Sequence, residues 1–144
     1  MKVLFDTNVI IAAFINSHPG HRRSLPWLQK AVNKKIEGFV SVHSLIEVYS
    51  VITRLPLSPK ISTDLALKLI KENILSSFKL ITYSPRDYID LLVSLEKNNI
   101  SGGASYDGLI IWAAGKSKAD KIITLNVNDF IRVSPGLVDK ISEP

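Results

Sequence analysis

Short apolar runs alternate with stretches of helical periodicity along this whole chain, and no other feature constrains its fold so tightly. The runs Val3–Phe5, Phe39–Val40, Lys79–Tyr83 and Lys121–Leu125 read as strands, and Leu137–Ile141 as a last one. Helices are expected at Asn8–Ile15, at Leu25–Lys34 through Leu25, Leu28 and Val32, and from Ser41 as a cap to about Leu55. A further helix from Ser62 to about Asn73 is expected to bury Leu65, Leu69 and Ile70. Ser84, Pro85 and Asp87 form a helix-start signature, after which Tyr88, Leu91, Leu92 and Leu95 repeat at helical spacing. Tyr106–Lys118 completes the set, with Asn16–Ser24 and the ISGGAS segment as connections. Strands separated by helices pair in parallel through right-handed crossovers, with helices covering both faces. The expectation is a single α/β domain over residues 1–144, long enough to bury roughly two thirds of its unfolded surface.

Three carboxylates break this pattern. Asp6 stands in KVLFDTNVIIAAF, Glu47 in VSVHSLIEVYSVI and Asp107 in ASYDGLIIWAAG, each nearly alone among apolar neighbours. An ionised carboxylate inside an apolar element is costly without a partner, and the only cationic side chain in those stretches is Lys2. A divalent ion shared by all three would resolve the conflict, and hard oxygen donors suit magnesium or manganese. In an open α/β sheet ligands bind beyond the carboxyl ends of the strands, where Asp6, the helix carrying Glu47 and the TLNVNDF segment all fall. Such a site supports phosphoryl chemistry by lowering the pKa of a water and offsetting charge on phosphate oxygens.

An FDTN opening, a lone glutamate about forty positions on, a YDGLIIWAA segment and a closing TLNVNDF together resemble the PIN-domain family, most nearly its VapC-type toxins. The likeness runs from Lys2 to about Pro135. It implies a three-layer sandwich on a parallel sheet of about five strands, and a metal-dependent endoribonuclease leaving 5′-phosphate and 3′-hydroxyl ends. It also implies a dimer held inactive by a cognate antitoxin, acting in the cytoplasm. Position by position, Asp6, Glu47 and Asp107 match the acids that bind Mg²⁺ or Mn²⁺, while Thr7, Asn8 and Thr124 match supporting polar residues. Asn126 stands where the family commonly has a catalytic aspartate. It carries no charge, so a second metal position should be weaker, with Asp129 nearby as a substitute ligand.

Each acid has an ordinary alternative when taken alone. Asp6 can cap the helix that follows, Asp107 can complement a helix dipole, and Glu47 can lie on a solvent stripe with Ser44, Ser50 and Arg54. His18 and His21 read as surface residues, and His43 as a local partner of Glu47 at i,i+4. Trp27 and Trp112 read as core, and Gly102 and Gly103 as a hinge. Arg22 and Arg23, in the first loop, and Lys34 with Lys35 are the basic clusters best suited to an RNA backbone.

Composition excludes several classes. With no cysteine there is neither a disulfide framework nor a thiolate metal site, and a reducing compartment is permitted. No secretory leader pattern precedes the first strand, and the longest apolar run, Val9 to Ile15, is far below the roughly 20 residues of a membrane span, so a soluble intracellular protein is expected. The net charge of +5 favours polyanionic partners without choosing among them. The alternatives to a nuclease are an RNA- or protein-binding module that does not cut, and, more remotely, a phosphotransfer receiver, which lacks its acidic pair here.

Overall fold

A computed structural model describes residues 1–144. Its centre is a five-stranded, all-parallel sheet in the order β3-β2-β1-β4-β5. The strands are β1 (Lys2–Phe5), β2 (Glu37–Ser41), β3 (Lys79–Ile81), β4 (Lys121–Ile123) and β5 (Ile141–Ser142). Helices α1 (Thr7–Phe14), α2 (His21–Val32), α3 (Val42–Arg54), α4 (Thr63–Ile70), α5 (Pro85–Lys97), α6 (Ala104–Ser117) and α7 (Val127–Val133) connect and cover them.

Because side chains alternate across a strand, β1 sends Val3 and Phe5 to one face and Leu4 to the other. Val3 and Phe5 join the larger core, with Val9 and Ile10 of α1, Val48 and Ile52 of α3, and Ile74. Leu4 joins the second core, built from Ile110 and Ala113 of α6, Ile122 of β4 and Phe130 of α7. Both faces of the central strand are therefore sealed, which explains why KVLF reads as a continuous apolar run.

The start signals act as their chemistry requires. Ser41 accepts the His43 N–H at the start of α3, and Ser62 accepts that of Leu65 at the start of α4. Ser84 and Asp87 form a reciprocal capping box ahead of α5, with aspartate in the role usually taken by Glu or Gln.

Several expectations are corrected. The first loop ends at Gly20, so Arg22 and Arg23 lie in the first turn of α2 and not in a loop. The polar HRRS run conceals that turn because only Ser24, Leu28 and Ala31 of the helix are buried. Leu65 is exposed, and the inward line runs instead at i,i+4 spacing through Ala66 and Ile70 of α4 to Ile74 in a π-type turn over Lys71–Leu75. Tyr88 and Leu92 of α5 also stay exposed. NDF belongs to α7, a helix not foreseen, and the stretch expected as a last strand is mostly a 3₁₀ turn over Pro135–Lys140. Trp27 and Trp112 are only half-buried: Trp27 lies under the ammonium groups of Lys30 and Lys121, and Trp112 donates its indole N–H to Asp87 Oδ1 at 3.1 Å.

Gly38 in β2 is required by close approach. A Cβ there would stand 2.7 Å from two ring carbons of Phe78, whose ring packs edge-on against Phe5 with centroids 4.8 Å apart, and 3.0 Å from Ala31 Cβ. Gly38→Ala is expected to destabilise the fold by about 1–3 kcal/mol, measured as a lower melting temperature. An unchanged melting temperature would mean that the Phe78 ring moves aside freely.

Candidate functional site

The chain leaves β1 toward β2 and β3, then returns to place β4 and β5 on the other side of β1. The strand order thus reverses between β1 and β4, and the crevice beyond their carboxyl ends is where such a sheet holds a ligand. Asp6 follows β1 directly and Thr124 follows β4 directly.

Asp6 is 6% exposed. Its backbone N–H donates to Ile123 O at 3.0 Å, extending the β1–β4 pairing by one residue and fixing the carboxylate at the crevice. It occupies the N-cap position of α1, yet its side chain makes no capping hydrogen bond. Instead it accepts the Thr124 hydroxyl at 2.7 Å on Oδ2. The Thr124 hydroxyl in turn accepts the Asn126 N–H at 3.0 Å, and the Asn8 carboxamide accepts the Leu125 N–H at 3.1 Å. Asp6, Asn8, Thr124 and Asn126 therefore form one hydrogen-bonded seam across the switch point.

Glu47 is tied to the same place from α3. Thr7 donates its hydroxyl to Glu47 Oε2 at 2.9 Å and lies 2.8 Å from the Ser44 hydroxyl. Ser44 is fully buried, so the solvent stripe proposed for this helix does not exist on that side. His43 does not hydrogen-bond Glu47; its ring stacks on Tyr106, with centroids 5.5 Å apart and planes 15° from parallel. His43, Tyr106 and Glu47 line one cleft of about 270 Å³.

Asp107 enters from the first turn of α6 and is half-buried. Burial raises its carboxyl above the usual range, and the charges of Asp129 and Glu47 raise it further, against a smaller pull from Arg132. Burial alone is also the main reason why Asp6 is pushed up to about 7. The Thr124 bond opposes that rise, and the charges of Asp107 and Glu47 reinforce it. Asp6, Glu47 and Asp107 therefore share one electrostatic neighbourhood, in which a positive charge is what is missing.

That shortage is the test of whether a metal fits. The donors gathered here are carboxylate, hydroxyl and amide oxygens, the set that suits Mg²⁺ or Mn²⁺. No three of the chain's acidic and histidine side chains stand close enough together to hold a metal ion directly between them. Magnesium does not need such a cage, because it keeps several waters and takes one or two carboxylates from the protein. In donor chemistry the residues fit a hydrated hard cation touched by one or two carboxylates, and not a closed structural site.

The remaining candidates sort by place. Asn126 and Asp129 line a cavity of about 510 Å³ at the end of β4, together with Glu143, which the sequence reading missed. The Asn126 side chain is exposed and makes no capping bond for α7, and Asp129 pairs with Arg132 at 3.5 Å. Glu143 forms an ion pair with Arg23, which brings the start of α2 to this rim. Arg22 is exposed beside it. His18 and His21 are spent on local structure: His18 Nδ1 accepts the Gly20 N–H at 3.0 Å, and the His21 ring bonds Ala12 O at 2.9 Å. Ser44, Tyr106 and Glu143 had no site role in the sequence, because only contact between distant segments gives them one.

Residues 3–134 match the PIN domain. The chain is 31% identical over 119 residues to Ribonuclease VapC40 of Mycobacterium tuberculosis, covering 83% of this chain and 82% of that protein. It is 30% identical over 115 residues to Ribonuclease VapC27 of the same species, covering 80% and 78%. Among solved structures it resembles VapBC2 from Rickettsia felis bound to a DNA fragment from their promoter, with a TM-score of 0.67 at 20% identity over 99% of this chain and 98% of that one. It also resembles FitAcB from Neisseria gonorrhoeae, with a TM-score of 0.64 at 18% identity over 91% and 92%. These two likenesses are likenesses of fold.

Proposed function

This chain belongs to the PIN-domain family, and on that premise we propose that it is a metal-dependent endoribonuclease, the toxin of a toxin–antitoxin pair. The observation that carries the reading is a switch-point crevice in which Asp6, pinned by Thr124, and Asp107 both feel the charge of Glu47, itself pinned by Thr7. Its relatives named as ribonucleases cover four fifths or more of this chain, which supports RNA as the substrate.

Asp6, Glu47 and Asp107 would hold Mg²⁺ or Mn²⁺ in part through its own waters, with Asn126 and Asp129 at the outer lip. A bound dication supplies a water of lowered pKa and offsets charge on the phosphate oxygens. The chain's own residues do the positioning. Thr124 fixes one oxygen of Asp6, Thr7 fixes one oxygen of Glu47, and Asn8 anchors the backbone at Leu125, so neither carboxylate is free to swing away. Near neutral pH Asp6 keeps a proton part of the time and must release it to serve as a ligand, so metal affinity rises with pH.

The antitoxin and a homodimer belong to the same proposal. VapBC and FitAcB assemblies share this fold, which supports a protein inhibitor as partner. Exposed Leu65 and Leu67 on α4, with Leu75 just beyond, support a second copy as another. No helix is long and apolar enough to cross a membrane, and cytoplasmic action is part of the reading.

Incubating the purified protein with structured RNA in Mn²⁺ or in EDTA tests the activity. Fragments are expected with Mn²⁺ alone. A second reading, a module that grips RNA without cutting it, draws on the uncharged Asn126 at a customary acidic position. It requires equal binding under both conditions and no fragments.

A further inference from the structure

The carboxylates lie at one edge of the sheet, and the lysines gather at the other. Lys2 and Lys121 open β1 and β4, Lys34 and Lys35 lie just ahead of β2, Lys118 just ahead of β4, and Lys140 just ahead of β5. None of these six forms a salt bridge, though Lys140 donates to Ala119 O at 3.0 Å and Lys121 lies over Trp27, which leaves Lys2, Lys34, Lys35 and Lys118 as the least engaged. Lys79, which opens β3, is neutralised by Glu37. At the catalytic rim, by contrast, Arg23 is engaged by Glu143 and Arg132 by Asp129. The positive excess of the chain therefore lies away from its proposed active site.

Two of these lysines sit where a side chain is disfavoured. Lys34 and Lys118 follow the ends of α2 and α6 with φ of 56° and 53°, the left-handed conformation that glycine adopts most readily. Both are exposed, and both lie in the turns that lead into the sheet edge. A lysine near a helix C-terminus complements the dipole, but two in this backbone conformation, beside a third at Lys35, place charge on the edge against a conformational cost.

Resting on the ribonuclease reading, we propose that this lysine edge is a second RNA contact, gripping the phosphate backbone of a structured substrate at a distance from the bond that is cut. Adjacent strands are about 4.8 Å apart, so the row follows a backbone over several strand widths. The four residues of β1 separate the two edges by about 13 Å, beyond the roughly 8 Å reach of an exposed charge at physiological salt. These lysines therefore act through contact with another part of the RNA, and not through their field on the scissile phosphate. A short single strand occupies only the carboxylate edge, whereas a folded RNA reaches both. The edge thereby favours folded substrates.

Lys34→Gly with Lys118→Gly removes two charges from positions where glycine is the easier residue, so the melting temperature should hold or rise. Binding of an RNA duplex in EDTA should weaken several-fold, and the slope of log affinity against log salt should become shallower by about 2, near one per lost phosphate contact. Lys35→Gln, at a position with ordinary backbone geometry, should remove about 1 more. With Mn²⁺, KM for a structured RNA should rise while cleavage of a short single-stranded oligonucleotide is unaffected. Unchanged duplex affinity and slope overturn the proposal, as does lost binding to phosphatidylglycerol vesicles with duplex binding intact. Failure to cut either RNA would instead defeat the ribonuclease reading, and the duplex measurement in EDTA would still decide the role of the edge.

Discussion

Asp6→Asn should abolish RNA cleavage and at the same time stabilise the metal-free protein above neutral pH. Loss of a ligand that fixes charge at the reacting phosphate is expected to slow cleavage by on the order of 10³-fold or more, the equivalent of several kcal/mol. The stability effect follows from burial. The folded protein raises the Asp6 carboxyl from 3.8 to about 7, so between those values the folded state holds a proton that the unfolded chain has lost. Stability is full below about pH 4, falls as pH rises toward 7, and levels off above it, a cost on the order of 4 kcal/mol. Asparagine does not ionise, and its carbonyl can still accept the Thr124 hydroxyl. The variant should therefore melt above the metal-free wild type at pH 8 and close to it at pH 4. Melting curves across that range check the expectation, and a variant less stable at pH 8 would show that the Asp6 charge is satisfied by something other than a cation.

Asp107→Asn is the second large effect. Asp107 lies in the first turn of α6, where a negative charge complements the helix dipole, so a purely structural role predicts a loss of stability on neutralisation. Its raised carboxyl argues the opposite balance, because burial and the charges of Asp129 and Glu47 outweigh the favourable contributions. The variant should lose cleavage to a similar degree while the metal-free protein melts at the same temperature or higher. Mg²⁺ should raise the melting temperature of the wild type far more than that of the variant, since ligand binding to the folded state alone stabilises it by mass action. If the variant melts well below the metal-free wild type, Asp107 is a structural residue and the shared site loses one of its three corners.

The parts of this protein legible in the sequence are those governed by neighbours along the chain. Alternation of apolar runs and helical periodicity pointed to a parallel sheet, because a helix between two strands carries the chain back to the end at which the first strand began. Ser41, Ser62 and the Ser84–Asp87 box were readable as caps because a cap needs only its own next few backbone N–H groups. The three lone acids were visible by contrast, as charges in stretches that offer them no cation.

Tertiary structure decided what depends on distant partners. Whether Asp6 caps its helix or faces the crevice was settled by Thr124, 118 positions away, whose hydroxyl reaches Oδ2 and gathers the backbone at Asn126. The side of α3 that carries Ser44 is interior, with Thr7 of α1 hydrogen-bonded to it there. Arg23 lost its freedom to Glu143 at the far end of the chain, and the inward line of α4 fell on Ala66 and Ile70 and not on Leu65. Periodicity reports which residues tend to be buried, while burial itself, and the pKa of an acid within it, depend on what arrives from elsewhere in the fold.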